Sequence, residues 1–237
     1  MLAPLRGFAV AGVLCHMGEA DMARPSERRD MTAHTKQIVK TLRTTFGRKD
    51  LPIYMSQIPT MPRSTHGDGG DVRQAQVDAV NQLDDKVSLI SLIDLARSPK
   101  FQTKSQRQAE EGRRMAAAAL ADVYSLGAPH SGSCPMPRKA VRDHQVVNVW
   151  FEHADGLRID TSLPSAFEVA GTDSVFRPAK ALAAGDWVTM FSHMVMDPRY
   201  VRYAYADSVR PTLWNRAGLP SPGFSMTVSE AQDAHDN

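Results

Sequence analysis

The sequence predicts an α/β region with a parallel sheet, followed by a small antiparallel β-sandwich. Three observations carry this. Apolar runs at 8–17, 51–58 and 87–95 alternate with helical patterns around 32–47, 71–84 and 105–126. Apolar runs separated only by helices mark parallel strands buried on both faces. After a Pro/Gly/Ser-rich linker from Gly127 to Arg138, the helical periodicity gives way to short, turn-punctuated β-like runs.

The elements follow in order. The first run, FAVAGVLCHM, reads as a buried strand. Its arginine-led start resembles a short export leader, but the apolar part is only about eight residues long, and Leu14 before Cys15 is not the small residue a cleavage site needs. Val39, Leu42 and Phe46 recur at helical spacing, as do Met115, Ala119, Val123 and Leu126. Beyond the linker, runs at 146–153, 157–161, 167–171, 187–192 and 200–206 are separated by turn signals such as His153 to Gly156 and Ala184 to Asp186. The expected division is 1–127 for the α/β part, 128–228 for the sandwich and 229–237 for a flexible acidic tail.

Composition excludes several classes. A net charge of +2 without a long basic run argues against nucleic acid and against an anionic membrane surface. No stretch approaches the roughly 20 apolar residues of a membrane span. Two cysteines make no disulfide framework: Cys15 reads as a small core residue and Cys134 as an incidental linker thiol. The HGDGGD run from His66 has one histidine and no regular ligand spacing, so no metal is expected, and no cofactor motif is present. The compartment is left open.

Chemistry is expected where the first strand ends. Ligands of α/β sheets sit beyond the carboxyl ends of the strands, and here the apolar run passes directly into His16, Gly18, Glu19 and Asp21. A glutamate straight after a glycine at a strand end is hard to explain by packing, which makes Glu19 the leading candidate, its alternative role being to tie down a neighbouring loop. His16 is equally a substrate contact or a hydrogen-bonded structural histidine. Gln57, closing the second strand, either faces the pocket or closes a turn, and Asp94 closes the third.

The same residues resemble a known family. In the sialate O-acetylesterase and acetylxylan esterase group of SGNH-type carbohydrate esterases, the corresponding block runs Trp, Tyr or His, Gln, Gly, Glu, Ser or Ala, Asn or Asp. His16, Gly18, Glu19, Ala20 and Asp21 match it, while Cys15 replaces the Trp and Met17 the Gln. LRTTFGRKDLPIYMSQIP (42–59) is similar to the family's WR..FG..DLPF..VQL pattern, DVRQAQ (71–76) to LREAQ, and VSLISLIDL (87–95) to a strand ending on Asp94. GRRMAAAAL from Gly112 resembles GRRLA, and the stretch 201–224 resembles an RYAWAD...NL.N..GLPA.PF ending.

The resemblance implies an SGNH-hydrolase-like sheet and hydrolysis of acetyl esters on sugars, with an acetylated carbohydrate as partner. It also implies a serine nucleophile in a GQSN-like block upstream of the matched region, so the nucleophile and the strands before it are expected to be absent from this chain. Self-association, or pairing with such an N-terminal segment, would then cover the open sheet edge. The family's histidine base falls on Lys100, Gln102 or Lys104, for no histidine lies between His66 and His130. A serine hydroxyl needs a nearby base to attack, and glutamine cannot titrate. Asp94, which would orient that base, is then expected to serve as a cap or turn residue.

Two function classes follow. One is a carbohydrate esterase homologue that is truncated and inactive by itself. The other is a non-catalytic carbohydrate-binding or interaction remnant, for which Tyr203, Tyr205 and Trp214 offer either a sugar-stacking face or simply core.

Overall fold

The computed structural model describes residues 8–20, 25–60, 69–128 and 130–231, with the side chains of 25–29 and 97 left aside. Its α/β part has a three-stranded parallel sheet, β1 (Val13–His16), β2 (Ile53–Gln57) and β3 (Val87–Ser91), in the order 1-2-3. Three helices connect and cover it: α1 (Pro25–Thr45), α2 (Gly69–Asn81) and α3 (Lys104–Asp122).

Strand alternation sorts the sheet's two faces. Tyr54 and Ile90 pack with Leu92, Leu95, Met115 and Ala118 under α3. Ile53, Met55, Val87 and Leu89 point the other way, into a core shared with Val39 of α1, Val77 and Val80 of α2 and the aromatic interior of the β-rich half. Burial on both faces is why β2 and β3 read as continuous apolar runs. β1 is not the buried strand its apolar run predicts: at the sheet edge it leaves Leu14 and His16 exposed.

β1 is shorter than the expected 8–17. The β1–β2 ladder starts at Val13 opposite Ile53, and Val13 N donates to Pro52 O. Pro52 has no N–H with which to extend the ladder toward Phe8. α1 begins seven residues earlier than its apolar periodicity suggested, with Pro25 as its first residue, where a missing N–H costs nothing.

The β-rich half consists of β4 (Met136–Asp143), β5 (Val146–Glu152), β6 (Arg158–Ile159), β7 (Phe167–Ala170), β8 (Arg177–Pro178), β9 (Lys180–Ala184), β10 (Trp187–Phe191), β11 (Tyr200–Tyr203), β12 (Leu213–Trp214), β13 (Phe224–Thr227) and β14 (Ser229–Glu230). A five-stranded sheet, ordered 14-4-5-10-9, faces a four-stranded one, ordered 13-11-7-8. Phe151 of the first meets Phe224 of the second edge-on at 5.8 Å, Phe224 packs on Tyr203, and Tyr203 on Phe167. All pairings in these sheets are antiparallel except that of β14 with β4.

Several expectations need correction here. The linker does not run to Arg138, because β4 starts at Met136. Its MPRKAVRD sequence hides a strand that buries Ala140 and Val141 while Arg138 and Lys139 reach solvent. Cys134 is not an incidental linker thiol. It is buried, donates to Leu89 O at 3.2 Å, and burial pushes its thiol up to about 11. The tail expected from Ser229 starts instead with the paired strand β14, whose Glu230 is bound by Arg142 and Arg199.

The two halves are tied by more than apolar contact. Arg73 on α2, fully buried, donates through Nη2 to the carbonyls of Ala204, Tyr205 and Ala206 at 3.4, 2.8 and 3.1 Å. Gln57 Nε2 donates to Arg73 O and Gly223 O, and Gly223 N returns a bond to Gln57 Oε1.

Candidate functional site

The carboxyl end of the parallel sheet gathers a polar cluster. Parallel register sets His16 beside Ser56, and the Ser56 hydroxyl lies 3.1 Å from His16 Nδ1. Glu111 of α3 brings its carboxylate to 2.6 Å from the same nitrogen, while Glu19 Oε1 stands 3.7 Å from Nε2. His16 and Glu19 are about half exposed, whereas Glu111 is largely covered and Ser56 buried. The result is an imidazole anchored on one nitrogen and open on the other, flanked by two carboxylates. Such a ring can hold or accept a proton at Nε2.

The strand ends are fixed from behind by Gln76 of α2. Its amide donates to Met17 O and Ser56 O, both at 3.0 Å, and its carbonyl accepts from Ile58 N at 3.1 Å. Gly18 completes the turn with φ +113°, and a Cβ there would stand 2.9 Å from Met31 Cε and 3.1 Å from Gln76 Nε2. Asp21 lies outside the described residues.

The other sequence candidates go elsewhere. Gln57 is fully buried and points between α2 and the Gly223 backbone, so it neither closes a turn nor reaches the strand-end cluster. Asp94 is the N-cap of a short 3₁₀ turn without capping through its side chain. Its two oxygens instead take a fork from Arg114 at 2.7 and 2.8 Å. Arg114 also donates to Ser91 O and Glu110 Oε1, both at 2.8 Å, joining the end of β3 to α3. Burial opposes this charge, yet Asp94 and Glu110 outweigh it and hold the guanidinium above its ordinary value.

Lys100, Gln102 and Lys104 are all exposed. They lie at and just before the start of α3, where a capping box forms: Thr103 Oγ1 accepts from Gln106 N, and Gln106 Oε1 accepts from Thr103 N and Gln102 N. Lys104 precedes Glu111 by two helical turns, about 10 Å along the axis. Tyr203 is core, with its hydroxyl accepting from Thr212 N and Leu213 N, and Tyr205 sits at the surface of α2. Among the described residues no group of three or more His, Cys, Asp or Glu is placed to hold a metal ion, and no helix is long and apolar enough to cross a membrane.

Sequence reasoning missed Ser56, Glu111 and Arg114. Ser56 had a visible signal, a serine after three apolar residues of β2 where the resembled pattern has valine. Glu111 sits 95 positions from His16, and nothing local pairs them.

A family model described as carbohydrate esterase, sialic acid-specific acetylesterase, matches residues 2–121. The chain belongs to this family. A solved carbohydrate acetylesterase from Xanthomonas citri, XAC1771, is similar to it with a TM-score of 0.80 and 24% identity. The likeness covers 95% of this chain and 52% of that chain, so this esterase-family chain spans about half the length of the structure it matches. At that identity the likeness establishes the fold, including the β-rich half that follows the residues matched by the family model. No curated protein matches the chain.

Proposed function

We propose that this carbohydrate esterase homologue binds an acetylated carbohydrate at the carboxyl end of its parallel sheet and does not by itself turn over the ester. The observation that carries this reading is the Asp94–Arg114 fork. The carboxylate that the resemblance would assign to orienting the base is taken by a guanidinium on both oxygens, while Lys100, Gln102 and Lys104 extend into solvent. The serines at the strand ends support it: Ser56 and Ser91 are buried, the Ser91 hydroxyl donating to Ser221 O and the Ser56 hydroxyl lying between Cys15 O and His16 Nδ1. A buried hydroxyl that no substrate carbonyl can reach is not a nucleophile.

A second reading rests on the 2.6 Å contact between His16 and Glu111. A carboxylate on Nδ1 leaves Nε2 able to take a proton from water as that water attacks an acetyl carbonyl, and to return it to the departing sugar oxygen. Hydrolysis of 4-nitrophenyl acetate and of a per-acetylated sugar separates the two readings. The proposal expects no multiple turnover by repurified chain, together with saturable binding of the acetylated sugar. Turnover that survives repurification and disappears in His16→Ala overturns it in favour of the His16–Glu111 base.

A further inference from the structure

Behind the strand-end cluster, α2 and the four-stranded sheet enclose a groove of about 480 Å³, within the range of small-ligand sites. Gln74, Asp78 and Asn81 line it from α2. Their spacing sets them on one side of the helix, opposite Gln76, which holds the strand ends. Tyr200 from β11 and Tyr205 just beyond it form the facing wall, and Val77 contributes apolar floor. The groove is therefore a separate place from the His16 cluster, built on the same helix.

Its chemistry is specific. Two tyrosine rings supply apolar area with polar tips. The Asp78 carboxylate accepts from Gln74 Nε2 at 2.7 Å, and a carboxylate has acceptor capacity for several further donors. Gln74 is held in place because Ser225 N donates to its Oε1. Burial pushes the Asp78 carboxyl up, with the Gln74 bond opposing. Among the described residues no lysine or arginine lines the groove. The two guanidiniums at its margins are engaged: Arg138 binds Asn81 Oδ1 and Glu152, and Arg202, over the Tyr205 ring at 5.3 Å, is forked onto Glu168. Asp71, which accepts from the Tyr205 hydroxyl, adds further negative charge.

Apolar ring faces, a rim of amide and hydroxyl groups, an acceptor carboxylate and, among the described residues, no free cation suit a ligand that is rich in hydroxyl donors and uncharged. We infer that the groove between α2 and β11–β13 is a second carbohydrate subsite for a neutral sugar unit, and that it disfavours an acidic sugar such as a sialic acid. The ligand class rests on the carbohydrate reading above, while the location and the charge preference rest on the groove alone.

The test is an amide-resolved NMR titration of the full chain with cellobiose and, separately, with N-acetylneuraminic acid. Cellobiose is expected to shift amides of α2 and β13 around Gln74, Asp78 and Ser225 with saturation, and N-acetylneuraminic acid to leave them unmoved. Asp78→Asn and Asn81→Ala, both outside the core, should each weaken cellobiose binding, the first about tenfold through loss of a charge-assisted bond. Shifts confined to the strand end around His16 overturn the subsite while leaving the carbohydrate reading intact. Equal or stronger groove binding of N-acetylneuraminic acid overturns the neutral preference, and absence of any saturable shift with either sugar overturns the subsite outright.

Discussion

His16 Nδ1 lies 2.6 Å from Glu111 Oε1, linking the last residue of β1 to the middle of α3 across 95 positions of sequence. An ionised carboxylate only accepts, so the neutral ring must carry its proton on Nδ1, leaving Nε2 bare toward Glu19. Imidazole ¹⁵N spectra should therefore show His16 in the Nδ1–H form, with that preference lost in Glu111→Ala. Stability should change by no more than about 1 kcal/mol, since the ring is partly exposed and such pairs contribute little net energy. A ring protonated mainly at Nε2 in the unaltered chain would contradict the geometry.

How much of this was legible in the sequence follows from how each residue earns its place. β2 and β3 were visible because burial on both faces forces a run of apolar residues, and the strand-end candidates His16 and Glu19 because polarity begins abruptly where β1 stops. β4 was hidden because one of its faces is charged, so a strand that buries Ala140 and Val141 read as part of a linker. Partnerships across the chain left no local trace. Asp94 looked like a cap, and only packing of α3 against β3 brings Arg114 onto it. Gln57 looked available until the β-rich half folded over it and supplied Gly223.

Arg114 is the cation on which the end of β3 depends. It is 3% exposed, and its carboxylate partners Asp94 and Glu110 are nearly as covered. Arg114→Ala would leave the Asp94 carboxylate buried without compensation, while Glu110 keeps Arg113, and breaking a buried pair from one side costs about 3–5 kcal/mol. Arg114→Lys should recover only part of this, because an ammonium cannot span both Asp94 oxygens in a fork. Denaturant melts of the two variants check the order. An alanine variant as stable as the unaltered protein would remove Arg114 from the structural account.

The same network sets an acid limit. The Arg113 hydrogen bond, partly opposed by burial and reinforced by Arg114, holds Glu110 below its ordinary value of 4.5. A carboxyl depressed on folding stabilises the native state above its unfolded value, and the contribution fades as pH falls through the folded value. Asp84, held low chiefly by Arg43, acts in the same direction. Thermal unfolding should thus be insensitive to these groups near neutrality and should weaken progressively below about pH 4.5. Arg113→Ala should flatten that acid slope. An identical slope in the variant would show that Glu110 is not responsible.

Gly18 joins the strand-end site to the fold most directly. Its φ of +113° lies where side chains are disfavoured, and three groups converge on the place its Cβ would occupy: Met31 Cε at 2.9 Å, Gln76 Nε2 at 3.1 Å and Ile58 Cγ2 at 3.2 Å. Met31 is the end of a flexible side chain and can yield. Gln76 cannot move freely, because its amide already serves Met17 O, Ser56 O and Ile58 N. Gly18→Ala should therefore cost about 1–3 kcal/mol in backbone strain alone. It should also displace the Gln76 amide, loosening β1 from β2 where His16 meets Ser56. Two measurements separate these effects: chemical denaturation reads the strain, and hydrogen exchange at the Ile58 amide reads the Gln76 bond. Faster exchange at Ile58 with the rest of the sheet protected is the expected outcome. Unchanged stability together with unchanged exchange would mean that the turn has room for a side chain and that glycine is not required there.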